Sequence, residues 1–435
     1  MAHWRQQYQQ TLEEMFAMLP MFQRIGPAAF KKDLTNTVAL LQGLGNPHHS
    51  FRSIHIAGTN GKGSLTHMIG ALAIQAGMKT GLYTSPHYKD FRERIKIGNQ
   101  LIPPGRVITF MRDHRDLIQE VQPSFFELTV AMAFDHFARE KVDLAVIETG
   151  MGGRLDSTNV LKPILSVITN IGYDHMSFLG DTLPAIAGEK AGIIKGDIPV
   201  VIGEEHPETV DVFRVRAQHL HAPISFASRT FQFMSRVAIP QGQQVLIHDK
   251  STNGLLTIRT DLEGPYQIRN IITYLEVARI LNQKGLLHVE QRMVLDALSS
   301  VRQTTRFIGR WQTIQEHPKV LCDSAHNAEG LTALFHGLER SARGALRIVF
   351  GTVSDKELDR VWPCLPEDAV YYFASARVPR AMEAQQLARF GQSANRHGKA
   401  YASVKGALRA ADRAAGPDDL IVVCGSIFVV AEVLP

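Results

Sequence analysis

The sequence predicts an α/β protein in two parts, a P-loop-type domain with a mostly parallel sheet followed by a smaller Rossmann-like α/β domain. Three observations carry that expectation. Through residue 203, short β-branched runs alternate with longer helical patterns, the order expected of a parallel sheet flanked by helices. The first of these runs passes through a glycine loop straight into a helical pattern. Beyond residue 310 the alternation starts again, which asks for a second sheet.

Taken in chain order, residues 53–57, 142–148, 164–170 and 198–203 are continuous apolar runs, suited to strands buried on both faces. Residues 64–75 and 124–139 are helical patterns between them. Residues 224–263 change character: strand-like pieces at 245–248 and 255–259 are set off by PQGQ and STNG turns, predicting a small meander on the first domain. Ile268, Ile271, Ile272, Leu275, Ala278 and Leu281 then keep one face of a helix apolar. The polar stretch 299–310 has no period and is expected to be a linker between domains at 1–298 and 311–435. In the second domain, runs at 319–323, 346–351, 369–374 and 419–424 predict the strands.

The 435 residues are 45% hydrophobic and 20% charged, so there is ample apolar surface to bury and a disordered chain is excluded. No apolar run approaches the roughly 20 residues of a membrane span. The N-terminus lacks the apolar core of a signal peptide. Cys322, Cys364 and Cys424 are odd in number and widely spaced, which fits a reducing cytoplasm better than a disulfide framework. The charge balance, 47 − 42 = +5, is mild and spread along the chain, and suits anionic small molecules. No basic face interleaved with aromatics asks for nucleic acid. A two-domain chain that completes its own site is expected to be a monomer.

The sharpest local signal is SIHIAGTNGKGS at 53–64. Glycines let backbone N–H groups approach phosphate oxygens, the helix N-terminus adds a favourable dipole, and Lys62 supplies positive charge. Asn60, Gly61, Lys62, Gly63 and Ser64 are therefore candidate phosphate-binding residues, and the resemblance below implies that the phosphates are those of ATP. A strict Walker A pattern fails, because Gly63 separates Lys62 from Ser64 and Ile56 stands where the first glycine belongs.

That variant loop resembles the one in ATP-dependent amide ligases, the group that includes folylpolyglutamate synthase and the Mur ligases. Further segments resemble the folate branch: TSPH at 84–87 with ERI at 93–95, IETGMGGRLDSTN at 147–159, and TNIGYDH at 169–175. LGDT at 179–182, EKAGIIK at 189–195, Gly309-Arg310 and DSAHN at 323–327 complete the set. Three positions depart from the family pattern: Ser324 replaces a usual glycine, Ala328 a usual proline and Met151 a usual leucine.

The resemblance implies carboxylate activation, in which ATP phosphorylates a carboxylate and the amine of L-glutamate displaces the phosphate. It implies two Mg2+ ions held by Ser85, Glu148, His175 and an Nε-carboxylated Lys190, with Lys62, Lys190 and His175 as the catalytic set. By residue type alone, a buried hydrogen-bonded histidine and a ligand are equal readings of His175, since Mg2+ prefers oxygen. Lys190 alone would read as a surface lysine beside Glu189. Asn270, Arg310, Asp323 and His326 are implied to grip ATP from across an interdomain cleft, although Asn270 reads equally as a helix-surface amide. Ser124, Phe125, Phe126 and Glu127, with Leu155, Asp156 and Ser157, resemble the dihydropteroate pocket of bifunctional members. Core packing is an equal reading for one of the two phenylalanines. The expected activity is dihydrofolate synthase plus folylpolyglutamate synthase. The alternatives are a synthase with only the second activity, and a Mur-type peptide ligase.

Overall fold

The computed structural model describes residues 2–19, 33–338, 344–354 and 358–435; the start of the family resemblance, near residue 20, lies outside them. The chain divides into two compact units, Met1–Leu262 with Gln267–Phe307, and Glu263–Tyr266 with Ile308–Pro435.

The first unit is built on eight strands: β1 Arg52–Ala57, β2 Thr80–Tyr83, β3 Ile95–Ile97, β4 Gln100–Leu101, β5 Leu144–Glu148, β6 Leu165–Ile168, β7 Val200–Ile202 and β8 Ile224–Phe226. Their spatial order is β4-β3-β2-β5-β1-β6-β7-β8. Pairing is parallel from β2 through β8 in that order, whereas β2–β3 and β3–β4 run antiparallel. Every residue of β5 is buried, as expected for a central strand covered on both faces. The register sets Ile56 of β1 opposite Glu148 of β5, so the glycine loop and that carboxylate leave the sheet side by side.

Helix Lys62–Gln75 is buried all round from Ser64 to Ala73. It lies in the same core cluster as Ile54 and Val146 of the sheet, Ile271 and Leu275 of helix Gln267–Gln283, and Leu298 of helix Gln291–Leu298. A helix enclosed on every side has no need of one apolar stripe. Helix Phe125–Arg139 fills a second cluster with Tyr83, Ala145 and Ile147.

The three-stranded antiparallel sheet comprises β9 Phe231–Ile239, β10 Gly242–Asp249 and β11 Gly254–Thr260, in the order β11-β10-β9. It begins at 231, because Ile224–Phe226 pairs parallel with β7 and closes the large sheet instead. Nor is 299–310 an extended linker. Val301–Thr305 is a short helix whose two end residues are fully buried, and Phe307 joins the first core. The unit boundary falls after Phe307, where burial in the first core ends.

The second unit carries β12 Gln312–Glu316, β13 Lys319–Cys322, β14 Leu346–Phe350, β15 Val370–Ala374, β16 Gly398–Tyr401 and β17 Leu420–Cys424. Their order is β12-β13-β17-β14-β15-β16, parallel except for the β12–β13 hairpin. Its core packs Leu321, Ile348, Phe350, Phe373 and Val422.

Candidate active site

Four neighbouring strands, β2, β5, β1 and β6, end in the loops that the sequence singled out. Ligands of open α/β sheets bind at this carboxyl edge. After β1, Lys62 opens the helix, with Gly61 as its N-cap in the left-handed region at φ 86. Any side chain at Gly61 would strike Asn270 Oδ1, so glycine is required there on two counts. The Lys62 ammonium folds back on its own loop, donating to Gly58 O at 2.9 Å and Thr59 O at 3.1 Å.

The loop after β6 stitches the phosphate loop in place. Thr59 N–H donates to Asn170 O at 3.0 Å, and Asn60 N–H donates to Asn170 Oδ1 at 2.8 Å. Thr169 Oγ1 donates to Asn60 O at 2.6 Å, and Thr59 Oγ1 bonds Gly172 in both directions. These residues of the TNIGYDH segment have a structural role that their motif signalled without specifying. His175 follows with φ 52 and stands one-third exposed, its backbone N–H donating to Asp174 Oδ1. It is therefore not the buried histidine of the alternative reading.

Glu148, at the end of β5, is 5% exposed. Its Oε2 accepts the Ser85 N–H at 3.2 Å, and a methyl group on Gly63 would lie 3.5 Å from that oxygen. The fold thus brings Ser85, Glu148 and the phosphate loop together. Neighbouring His87 has its value lowered to about 3, chiefly by burial and then by Arg94, so its neutral Nδ1 accepts from Arg94 Nε at 2.8 Å.

Lys190 lies on helix Leu183–Ala191 and is 3% exposed, which removes the surface reading. Its Nζ donates to Gly58 O at 2.8 Å, the carbonyl that also receives Lys62. The two ammonium groups thus share one carbonyl acceptor. Gly153 packs against this helix end: a methyl group there would lie 2.8 Å from Glu189 O and 2.9 Å from Lys190 O. Gly153→Ala is expected to cost about 1–3 kcal/mol of stability, because backbone carbonyls have no rotamer in which to yield. A denaturant midpoint equal to wild type would contradict this.

Asn270 belongs to the first unit, the one that carries the phosphate loop, and so does not reach ATP from the other domain as expected. The reason is packing: the apolar face of helix Gln267–Gln283 is buried in the first core. Asn270 Nδ2 donates to Gln267 Oε1 at 2.8 Å, and Gln267 Nε2 donates to Ser64 Oγ at 3.2 Å. Sequence reasoning missed Gln267, whose only signal is its place one turn before Asn270.

The expected dihydropteroate segments divide. Glu127 is used locally: Oε2 accepts from Ser124 N at 2.6 Å and Asn36 Nδ2 at 3.3 Å, and Ser124 Oγ caps the helix in return. This is a capping box. Asp156 spends both oxygens on the chain, accepting from Gly150 N and Met151 N on one and from Thr158 N and Oγ1 on the other. Burial raises its value while these bonds oppose the rise. Both carboxylates thus shape loops rather than face outward. Phe125 is core, stacked edge-on against Phe91 and covered by Arg94. Phe126 is half-buried and lies against Gly150. Leu155 is half-buried, and Ser157 is buried at the head of the short helix Ser157–Val160.

In the second unit, Asp323 is 2% exposed and gathers three segments. Tyr266 Oη and Trp311 N donate to Oδ2, and Ala325 N donates to Oδ1. Arg310 is half-buried beside Trp311, and His326 Nδ1 lies 2.9 Å from Ser324 O. The unusual Ser324 turns its hydroxyl inward to Gly309 O at 3.1 Å. Ala328 opens helix Ala328–Leu338, a first-turn position where proline is also at ease.

The Mur ligase middle domain family matches residues 56–278, and the Mur ligase glutamate ligase domain family matches residues 309–427. The loop geometry and these matches define an ATP-dependent ligase. The dihydrofolate synthase/folylpolyglutamate synthase of Bacillus subtilis is 34% identical over 93% of this chain and 94% of its own length. The Escherichia coli enzyme of the same name is 29% identical over 87% and 85%. The Mycobacterium tuberculosis folylpolyglutamate synthase complexed with ADP and AMPPCP superimposes with a TM-score of 0.85 at 30% identity, covering 98% of this chain and 97% of that one. E. coli FolC in complex with DHPP and ADP gives 0.84 at 25% identity, covering 98% and 96%. The chain belongs to the Mur ligase family, within its dihydrofolate synthase/folylpolyglutamate synthase branch.

Proposed function

We propose that this ligase joins L-glutamate to dihydropteroate and to the γ-carboxyl of reduced folates, using ATP and an acyl-phosphate intermediate. The observation that carries the reading is the phosphate loop seated beside Glu148 and Ser85 at one sheet edge, in a chain 34% identical to a relative that bears both names. Lys62 and the N-terminus of its helix bind the phosphates, and turning the ammonium from Gly58 O toward a phosphate exchanges one acceptor for a charged one. The γ-phosphoryl group passes to the acceptor carboxylate as its bond to ADP breaks. The glutamate amine then attacks the acyl carbon, phosphate leaves, and the amine proton is released to solvent.

The donor set fits Mg2+, since Ser85 and Glu148 offer oxygen, the element this hard ion takes. His175 and Nε-carboxylated Lys190 would complete the holders of two ions, together with phosphate oxygens. Among the described residues no group of three His, Cys, Asp or Glu converges. When bound, Mg2+ neutralises charge on the transferring phosphoryl group. Asn60, Gly61, Gly63, Ser64 and Asn270 of the first unit are proposed to hold the nucleotide, with Arg310, Asp323 and His326 of the second. Phe126 and Leu155, half-buried beside the 150–154 loop, are the proposed pterin contacts; Ser124, Glu127, Asp156 and Ser157 set their backbone. The enzyme is proposed to act as a monomer in the cytoplasm. No helix among the described residues is long and apolar enough to cross a membrane.

The test supplies purified protein with ATP, Mg2+, L-glutamate and either 7,8-dihydropteroate or tetrahydrofolate. Glutamate-dependent phosphate release is expected with both. Release with tetrahydrofolate alone would leave a polyglutamate synthase, and release with neither would reject the reading.

A further inference from the structure

Behind the phosphate loop, three side chains from distant parts of the first unit form a closed polar cluster. His67 lies on the phosphate-loop helix, Lys96 on β3, and Thr305 at the end of the short helix Val301–Thr305. They are 5%, 3% and 0% exposed. Lys96 Nζ donates to Thr305 O at 3.0 Å and lies 3.2 Å from His67 Nε2. His67 Nδ1 lies 2.7 Å from Thr305 Oγ1, whose own proton goes to Val301 O at 2.6 Å.

Proton counting sets the direction of every bond. Thr305 has spent its only donor, so it accepts from His67, which must carry its proton on Nδ1. Nε2 is then an acceptor and takes a hydrogen bond from Lys96 Nζ. Burial, and then Lys96, hold His67 well below its usual value, consistent with a neutral ring. The Phe307 ring lies 4.9 Å from the imidazole, and the chain enters the second unit at Ile308. The cluster therefore joins the helix that starts at Lys62 to the last turn of chain before the unit boundary. None of the phosphate, metal or pterin groups uses it.

We propose that Lys96 and His67 are positioning residues that clamp the 301–307 segment, the last of the first unit, to the phosphate-loop helix. The proposal rests on the ligase reading, in which Arg310, three residues beyond that segment, serves the same reaction. Loss of the clamp then frees the chain that leads to Arg310 and slows turnover.

The ammonium is also sensitive to pH. Burial draws Lys96 from 10.5 to about 7, with Arg306 adding to the fall and Glu93 and Glu148 opposing it. A lowered lysine makes the unfolded chain the better proton binder between these values. Stability relative to Lys96→Met should therefore rise with pH across that window and be flat below it.

The experiment compares Lys96→Met, His67→Leu, His67→Gln and Thr305→Val with wild type. The glutamine can accept from Lys96 and donate to Thr305, so it should behave as wild type. The other three should lower kcat/KM for ATP about ten-fold, and speed amide exchange across 301–307. Should Lys96→Met fail to fold, His67→Leu and Thr305→Val carry the same readouts. Unchanged kcat/KM for ATP in the folded variants overturns the proposal. So does a glutamine variant as slow as the leucine one. If wild type itself shows no glutamate-dependent phosphate release, the ligase reading has failed, and amide exchange still reports on the clamp.

Discussion

Lys62→Ala is expected to lower turnover at least about 100-fold while the first unit stays folded. The ammonium makes two bonds to its own loop, to Gly58 O and Thr59 O, and bonds of this kind contribute only about 1 kcal/mol each. The loop keeps its stitching to Thr169, Asn170 and Gly172 without the lysine. What the alanine cannot replace is a positive charge at the mouth of a helix where phosphates gather. Phosphate release at saturating ATP and the thermal midpoint, measured on one preparation, separate the two effects. Near-wild-type release would remove Lys62 from the site.

Replacing Lys190 should have an effect of similar size, for a different reason. Its Nζ is buried against Gly58 O, beside the Lys62 ammonium, and the proposed carboxylation joins one CO2 to that nitrogen. Lys190→Arg keeps charge and length but cannot become a carbamate, so turnover should fall at least about 100-fold. Intact mass under native, mildly basic conditions should show one CO2 on wild type and none on the arginine variant. An active wild type carrying only unmodified lysine would refute the carboxylated state and leave a purely electrostatic role for Lys190.

The sequence by itself determined the phosphate loop, the strands buried on both faces, and the loops that follow them. Each of these is a local pattern: glycines before a Lys-Gly-Ser helix start, apolar runs of strand length, and acids or serines just past a strand end. The strands it missed are short or exposed. Thr80–Tyr83 has four residues, and most of Phe231–Ile239 faces solvent, so neither writes a continuous apolar run. Only the tertiary structure decided what the polar side chains do. Glu127 and Asp156 look like ligand groups in the chain, but the fold gives their oxygens to backbone N–H groups. Phe125 and Phe126 are adjacent and chemically alike, and helix rotation alone puts one in the core and leaves the other half-buried. Asn270 joined the phosphate loop, and Val301–Thr305 the first core, because their partners lie far away in sequence. Ser64 and Gln267 are 203 residues apart, and His67 and Thr305 are 238 apart. A hydrogen bond across such a distance leaves no periodicity to read. It exists only once the sheet and its covering helices have brought the two groups together and excluded water from between them.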